Sequence, residues 1–271
     1  MKTNKNNYKI LVLSDLKDPL MPVLKSAISL SKMIGGNIDF FHVKKPTDIV
    51  EIDNQLTAIR GINHVHNTID KKIRDQIRPI ADEYGVAIAH HVAIGNVRDQ
   101  ISKAIDAFGP DIIVLGKKKR KPISIIGDSI IQFVLNKCQC AVMIADNHNV
   151  LEPNKTVSFA TINKVSDTFD LEFADDLMKH VQQPYRSYKL VKKHAPLNVL
   201  EDGNDGRYID YIFEQADNSI KNMSRYLSKS NVNLLYMDRP NKKTKEKPNM
   251  LEPNLIEAIN DLKTSLIVAN G

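Results

Sequence analysis

The segment FFHVKK at residues 40–45 returns as YKLVKK at residues 188–193, and the order strand, helix, strand recurs around each copy at an offset of 148. A repeated unit of this size constrains the fold more than any single element, because chance would have to reproduce order, spacing and endings together. The chain has 271 residues, about twice the commonest domain size. Two units are expected, 1–148 and 149–271, and the offset sets Asn163 opposite Asp15.

In the first unit Tyr8 to Leu13 is a short β-branched and aliphatic run, and Asp18 with Pro19 then supplies helix-start chemistry. From Leu20 to Ile34 the apolar residues recur at helical spacing until Gly35 and Gly36 end the pattern. Ile38 to Val43 reads as a strand, Asp48 to Glu83 as one or two helices, and Val86 to Val92 as a strand. Gly95 to Phe108 reads as a helix, Asp111 to Leu115 as a strand, Ser129 to Asn136 as a helix and Ala141 to Ala145 as the last strand.

A polar segment with Pro153, Asp146 to Asn154, reads as the link between the units. In the second unit, residues 156–162 and Tyr185 to Val191 read as strands, flanking a helix over Phe169 to Gln182 with Ser166 or Asp167 as its N-cap. One helix is expected over Asn204 to Lys229, then a strand over Val232 to Tyr236, a helix over Pro253 to Leu262 and a strand over Ser265 to Ala269. Strands such as IIVL and AVMIA are apolar at consecutive positions, so both faces must be covered. The alternation implies α/β architecture: two open parallel five-stranded sheets, each with helices on both faces.

Composition accords with a folded chain: 42% hydrophobic and 26% charged residues, with 11 Gly and 12 Pro. The formal charge of +6 is modest, and its basic runs, Lys117 to Lys121 and Lys242 to Lys247, have no interleaved aromatics. Nucleic acid is therefore not an expected partner. The opening apolar run is too short for a signal core or a membrane span, and no later stretch approaches one, so a cytoplasmic protein with no membrane partner is expected. Cys138 and Cys140, read as part of an extended segment, are poorly placed to bridge to each other, so they read as packed small hydrophobes in a reducing compartment.

In a parallel sheet ligands sit beyond the carboxyl ends of the strands. The positions to watch are Ser14 and Asp15, Lys44 and Lys45, Ile94 and Gly95, and Gly116 to Lys121. The pairs His64 with His66 and His90 with His91 lack the partners of a metal site, and adjacent strand residues point to opposite faces. No metal site is expected, and no nucleophile turn or paired-carboxylate arrangement marks a catalytic centre.

The segments YKILVLSD, FFHVKK, IGNVRDQISKAI, DIIVLG and CQCAVMIAD together make the first unit similar to the universal stress protein family. The resemblance implies the adenine nucleotide alpha hydrolase-like fold in tandem, with the two domains paired through their last strands and a homodimer as a further assembly. In the nucleotide-binding branch, an Asp after the first strand and a Val ending the second lie near adenine, which match Asp15 and Val43. The phosphates are held by Gly, two residues, Gly, nine residues, then Gly with Ser or Thr. Here Gly116 is kept, Lys119 occupies the second glycine position, and Gly127 comes two residues early with Asp128 before Ser129.

Glycines let backbone N–H groups approach phosphate, which Lys119 hinders, although the basic run offers side chains for the same anion. The expected site is Asp15, Val43, Gly95, Gly116, Lys119, Gly127 and Ser129, with ATP and accompanying magnesium as the cofactor implied. The second unit has MDRPNKKTKEKPN in place of the glycine segment and carries no such site. The leading reading is a non-enzymatic stress-response or regulatory protein with an unidentified protein partner. The alternatives are a slow ATP-hydrolysing enzyme built on Asp15, Gly116, Lys119 and Ser129, and a nucleotide-independent interaction module.

Overall fold

The computed structural model describes residues 7–16, 20–46, 55–117, 130–164, 168–192, 206–214, 219–239 and 255–269. The first half runs β1 (Tyr8–Ser14), α1 (Leu20–Ile34), β2 (Gly36–Lys44), α2 (Gln55–Tyr84), β3 (Ile88–Ile94), α3 (Val97–Phe108), β4 (Ile112–Gly116), α4 (Ile130–Lys137) and β5 (Ala141–Ala145). The second runs β6 (Phe159–Ile162), α5 (Ala174–Met178), β7 (Tyr185–Val191), β8 (Tyr208–Glu214), α6 (Ser219–Lys229), β9 (Leu234–Asp238), α7 (Leu255–Asp261) and β10 (Ser265–Ala269).

All ten strands join one sheet in the order β3-β2-β1-β4-β5-β10-β9-β6-β7-β8. Neighbours are parallel throughout except at the central seam, where β5 and β10 run antiparallel and pair Leu266 with Ile144, Ile267 with Met143 and Val268 with Val142. The seam residues are fully buried, so the two five-stranded halves share a continuous core. One face of the sheet packs beneath α1 and α2, with Ile10, Val12 and Phe40 under Leu24, Ile28 and Ile73. The opposite face packs against α3, α4, α6 and α7.

Local chemistry sets the helix ends. The α1 helix stops where Gly35 takes φ of 72° and its amide returns to the Ser31 carbonyl. At α3 the Asn96 side chain accepts from the amides of Arg98 and Asp99, and Gly109, at φ of 58°, closes the other end. The expected helix starts Asp18, Pro19, Ser166 and Asp167 lie outside the described residues.

Two expected elements differ. Residues 208–214, YIDYIFE, form the edge strand β8 where an unbroken helix was expected over Asn204 to Lys229. The segment is rich in Tyr, Ile and Phe, and pairing all seven residues with β7 outweighs the helical spacing that continues into α6. The expected helix over Phe169 to Gln182 is reduced to α5, because Val181 forms a bridge with Val157 and Gln182 donates to the Val157 carbonyl. The second half also connects β7 to β8 through residues 192–207, where the first half spends residues 45–87 on the passage that contains α2.

Hydrogen bonds align the halves more closely than the sequence does. Asp111 donates to the Lys9 carbonyl and Asn233 to the Ser158 carbonyl, while Lys117 donates to Ala145 and Arg239 to Ala269. Lys9 thus corresponds to Ser158 and Lys117 to Arg239. Between the first two strands of each half the register changes: Leu13 pairs with Phe41, but Ile162 pairs with Tyr188. The gapless offset of 148 is therefore corrected to 149 on the first strand and 147 on the second, because the second copy is two residues shorter between them. Asn163 corresponds to Ser14, and it is Lys164 that corresponds to Asp15.

Candidate functional site

The carboxyl ends of β1, β2, β3 and β4 lie along one edge of the sheet, and β1 and β4 are adjacent there. The chain leaves β1 toward β2 on one side and enters β4 from β3 on the other, which makes the β1–β4 gap the switch point where such sheets bind ligands. Asp15 follows β1 and is partly exposed, Val43 is partly exposed near the end of β2, and Gly116 ends β4. Gly95 follows the edge strand β3, and its amide ties back to the Lys44 carbonyl at 3.0 Å. The structure thus gathers Asp15, Val43 and Gly116 on three neighbouring strands, with Gly95 one strand further out. Lys119, Gly127 and Ser129 lie outside the described residues, as does the basic run from residue 118 to 121.

The turn after β1 is held locally. Leu16 takes φ of 59° and its amide donates to Ser14 Oγ at 3.2 Å. His42 is buried, with Nδ1 2.8 Å from the Ser14 carbonyl oxygen. Burial holds its imidazole below the ordinary pKa, against the opposing pull of the Ser14 carbonyl and the Asp15 charge, so the neutral ring donates from Nδ1.

Gly116 has a structural reason of its own. A Cβ there would come within 2.7 Å of Val23 Cγ2, so the approach of α1 to β4 itself demands glycine. Lys117, the first of the basic run, turns away from the site. Its Nζ donates to the Leu262 carbonyl at the end of α7 and lies 3.7 Å from Asp146 Oδ2.

In the second half, matched positions carry different chemistry. Lys164 stands where the first half has Asp15, and Asp238 where it has Gly116. The two form an ion pair at 3.3 Å, and the Lys164 side chain is only 10% exposed. Its ammonium lies 5.0 Å from the centre of the Tyr236 ring and 5.7 Å from that of Phe169. Tyr236 donates its hydroxyl to Asp238 Oδ1 and receives the Asp170 amide at 3.3 Å. Burial, then the bond to Asp238, push the Tyr236 phenol well above its ordinary pKa. The strand end that could receive a ligand is filled by the chain's own side chains.

Sequence reasoning missed Lys164, Asp238 and the pair Lys117 and Arg239. A signal was available: IIVLGK at residues 112–117 aligns with LLYMDR at residues 234–239, which sets Gly116 on Asp238 and Lys117 on Arg239.

The cysteine reading is corrected. Cys138 and Cys140 are joined by a disulfide with Cα atoms 5.3 Å apart. The segment between α4 and β5 turns rather than extends, since the Cys138 amide still bonds to the Val134 carbonyl of α4 while β5 begins only at Ala141. The histidine pair of β3 splits across the sheet: His90 Nε2 lies 2.9 Å from Asp70 Oδ1 on α2, and His91 Nε2 lies 3.3 Å from Asp39 Oδ2 on β2. Among the described residues no three His, Cys, Asp or Glu side chains converge. A shallow groove of about 220 Å³ beside α2 and β3, lined by Arg74, Arg78 and His90 among others, is remote from Asp15 and Gly116. No described helix is long and apolar enough to cross a membrane.

The whole chain superposes on a universal stress protein from Archaeoglobus fulgidus DSM 4304 at 15% identity, covering 100% of this chain and 99% of that one with a TM-score of 0.65. A functionally unknown protein from Pseudomonas aeruginosa PAO1 is similar at 12% identity, over 97% of this chain and 92% of its own, with a TM-score of 0.59. At these identities the likeness speaks for the fold. No curated protein sequence matches the chain. The sequence model of the universal stress protein family matches residues 7–146, somewhat more than half of the chain and all five strands of the first half. The chain belongs to the universal stress protein family.

Proposed function

We propose that this stress-response protein binds one adenine nucleotide or similar anion, in its first half only, and acts as a regulator rather than as an enzyme. One observation carries the reading: matched strand ends hold Asp15 and Gly116 in the first half but the Lys164–Asp238 pair in the second. Partly exposed Asp15 and Val43 on adjacent strands suit the hydroxyl-bearing and flat parts of a nucleoside, and Gly116 adds no side chain at the switch point. The donors for phosphate would come from the segment after Lys117, and magnesium would arrive with the phosphates. In the second half Asp238 would repel a phosphate, and its neutralising lysine is already committed.

The two functional units are taken as residues 1–148 and 149–271. The Asp146 turn supports that division, because its carboxylate caps the amides of His148 and Asn149 at 2.9 and 2.8 Å just after β5. A cytoplasmic setting, a homodimer of the tandem chain and an unidentified protein partner complete the proposal. The hydrolytic reading gains nothing from Lys117, whose ammonium is directed to the seam.

Isothermal titration of the full chain with ATP and magnesium tests the reading. One equivalent is expected, and Asp15→Lys should abolish it while Lys164→Met leaves it intact. Two equivalents, or binding that survives Asp15→Lys, would overturn it.

A further inference from the structure

Cys138 and Cys140 sit at a point of mechanical consequence. The Arg239 guanidinium, reaching across the seam from the end of β9, donates to the carbonyls of Leu135 at 3.0 Å, of Cys140 at 2.6 Å and of Cys138. Its counterpart Lys117 reaches back to Leu262 in the α7–β10 turn, so the halves exchange one cation each across a pseudo-twofold seam. Only one of the two turns carries cysteines: Leu262 and Thr264 occupy the positions matching Cys138 and Cys140. The frame is therefore built without a bridge on one side, and the bridge on the other needs a different reason.

The surroundings of the two sulfurs differ in a useful way. Cys138 is 5% exposed and belongs to the core, whereas Cys140 is partly exposed. The Cys140 amide lies 3.0 Å from Cys138 Sγ and points a donor at it. That donor, with the Arg239 charge held on both cysteine carbonyls, favours a thiolate at Cys138 and offsets the unfavourable carboxyl end of α4.

We propose that Cys138 and Cys140 form a thiol–disulfide exchange site that takes small-molecule thiols and disulfides, with Arg239 as its positioning residue. This is independent of any nucleotide in the first half. In the reducing direction an external thiolate attacks Cys140 Sγ, the Cys138–Cys140 bond breaks, and Cys138 leaves as the thiolate that the Cys140 amide receives. A second thiolate attacks the external sulfur of the mixed disulfide, releasing Cys140 and a small-molecule disulfide. Two electrons pass from the two external thiols to the bridge, and their two protons go to the cysteines. Oxidation by a small-molecule disulfide reverses each step. Such pairs in reducing compartments are transient or sensing rather than structural.

The test equilibrates the full chain with glutathione and glutathione disulfide over a range of ratios, traps free thiols by alkylation and reads the intact mass. The expected result is one transition from two alkyl groups to none at monomeric mass. Cys138→Ala should take up one glutathione on Cys140, while Cys140→Ala should leave Cys138 resistant. Arg239→Lys should move the midpoint ratio toward more reducing conditions by about threefold or more, since thiolate stabilisation is weakened. Two alkyl groups at every ratio, a bridge between chains, or Cys138 as the reactive residue of the single variants would overturn the site. An unmoved midpoint in Arg239→Lys would remove Arg239 from it.

Discussion

The two halves share a sheet order and differ at the strand ends. In the first half Gly116 is kept small by the Val23 side chain of α1, and Asp15 follows the end of the neighbouring strand. In the second half α5 is a short helix, Asp238 carries a side chain where glycine stood, and Lys164 neutralises it over two aromatic rings. The difference teaches that duplicating a frame does not duplicate the chemistry at its strand ends. A parallel sheet asks only for apolar strands and covered faces, whereas a ligand asks for particular groups at strand ends.

The comparison can be broken most forcefully at the seam. Arg239→Leu leaves three carbonyls without their cationic donor and is expected to cost about 3 kcal/mol in urea unfolding, less than the sum of its bonds would suggest. Lys117→Met, which removes the bond to the Leu262 carbonyl and a looser carboxylate contact, is expected to cost about 1.5 kcal/mol. Equal losses would mean that the two turns are gripped alike. Next, Gly116→Ala forces its methyl into Val23 and should cost about 2 kcal/mol with loss of any first-half ligand, whereas Asp238→Ala should leave first-half binding untouched.

A smaller effect follows from the ion pair. Asp238→Asn leaves the nearly buried Lys164 without its anion, but Asp238 itself is 36% exposed, so screening limits the loss to about 1 kcal/mol. Lys164→Met with Asp238→Leu should recover most of that loss, as measured by a double-mutant cycle. The smallest expected effect is acid sensitivity. Burial depresses the His42 pKa in the folded chain, so the unfolded chain binds the proton more readily. That contribution to stability is complete above the ordinary histidine value and is lost as pH falls below about 6.5. His42→Gln should flatten this part of the stability profile, and because the matched position holds Lys189, no equivalent histidine contributes from the second half.

The strand and helix order was readable because it rests on local chemistry. Leu20 to Ile34 forms the expected helix residue for residue, since its apolar spacing and the glycines after it act within one element. The β8 strand was not readable in the same way: YIDYIFE also satisfies helical spacing, and only a neighbouring strand to pair with decides for the sheet. Asp15, Val43 and Gly116 were found at the strand ends where the family resemblance put them, while Lys164 was hidden by a two-residue change that the matching FFHVKK and YKLVKK masked.

The sequence by itself determined the α/β alternation, the duplication and the family, because these follow from hydrophobic pattern and from motifs contiguous in the chain. Tertiary structure alone decided the single ten-stranded sheet, the direction of Lys117 and Arg239, and the closure of the second strand end by Lys164 and Asp238. Each of those depends on register between strands far apart in the chain, and a shift of one residue in register reverses which face every side chain meets.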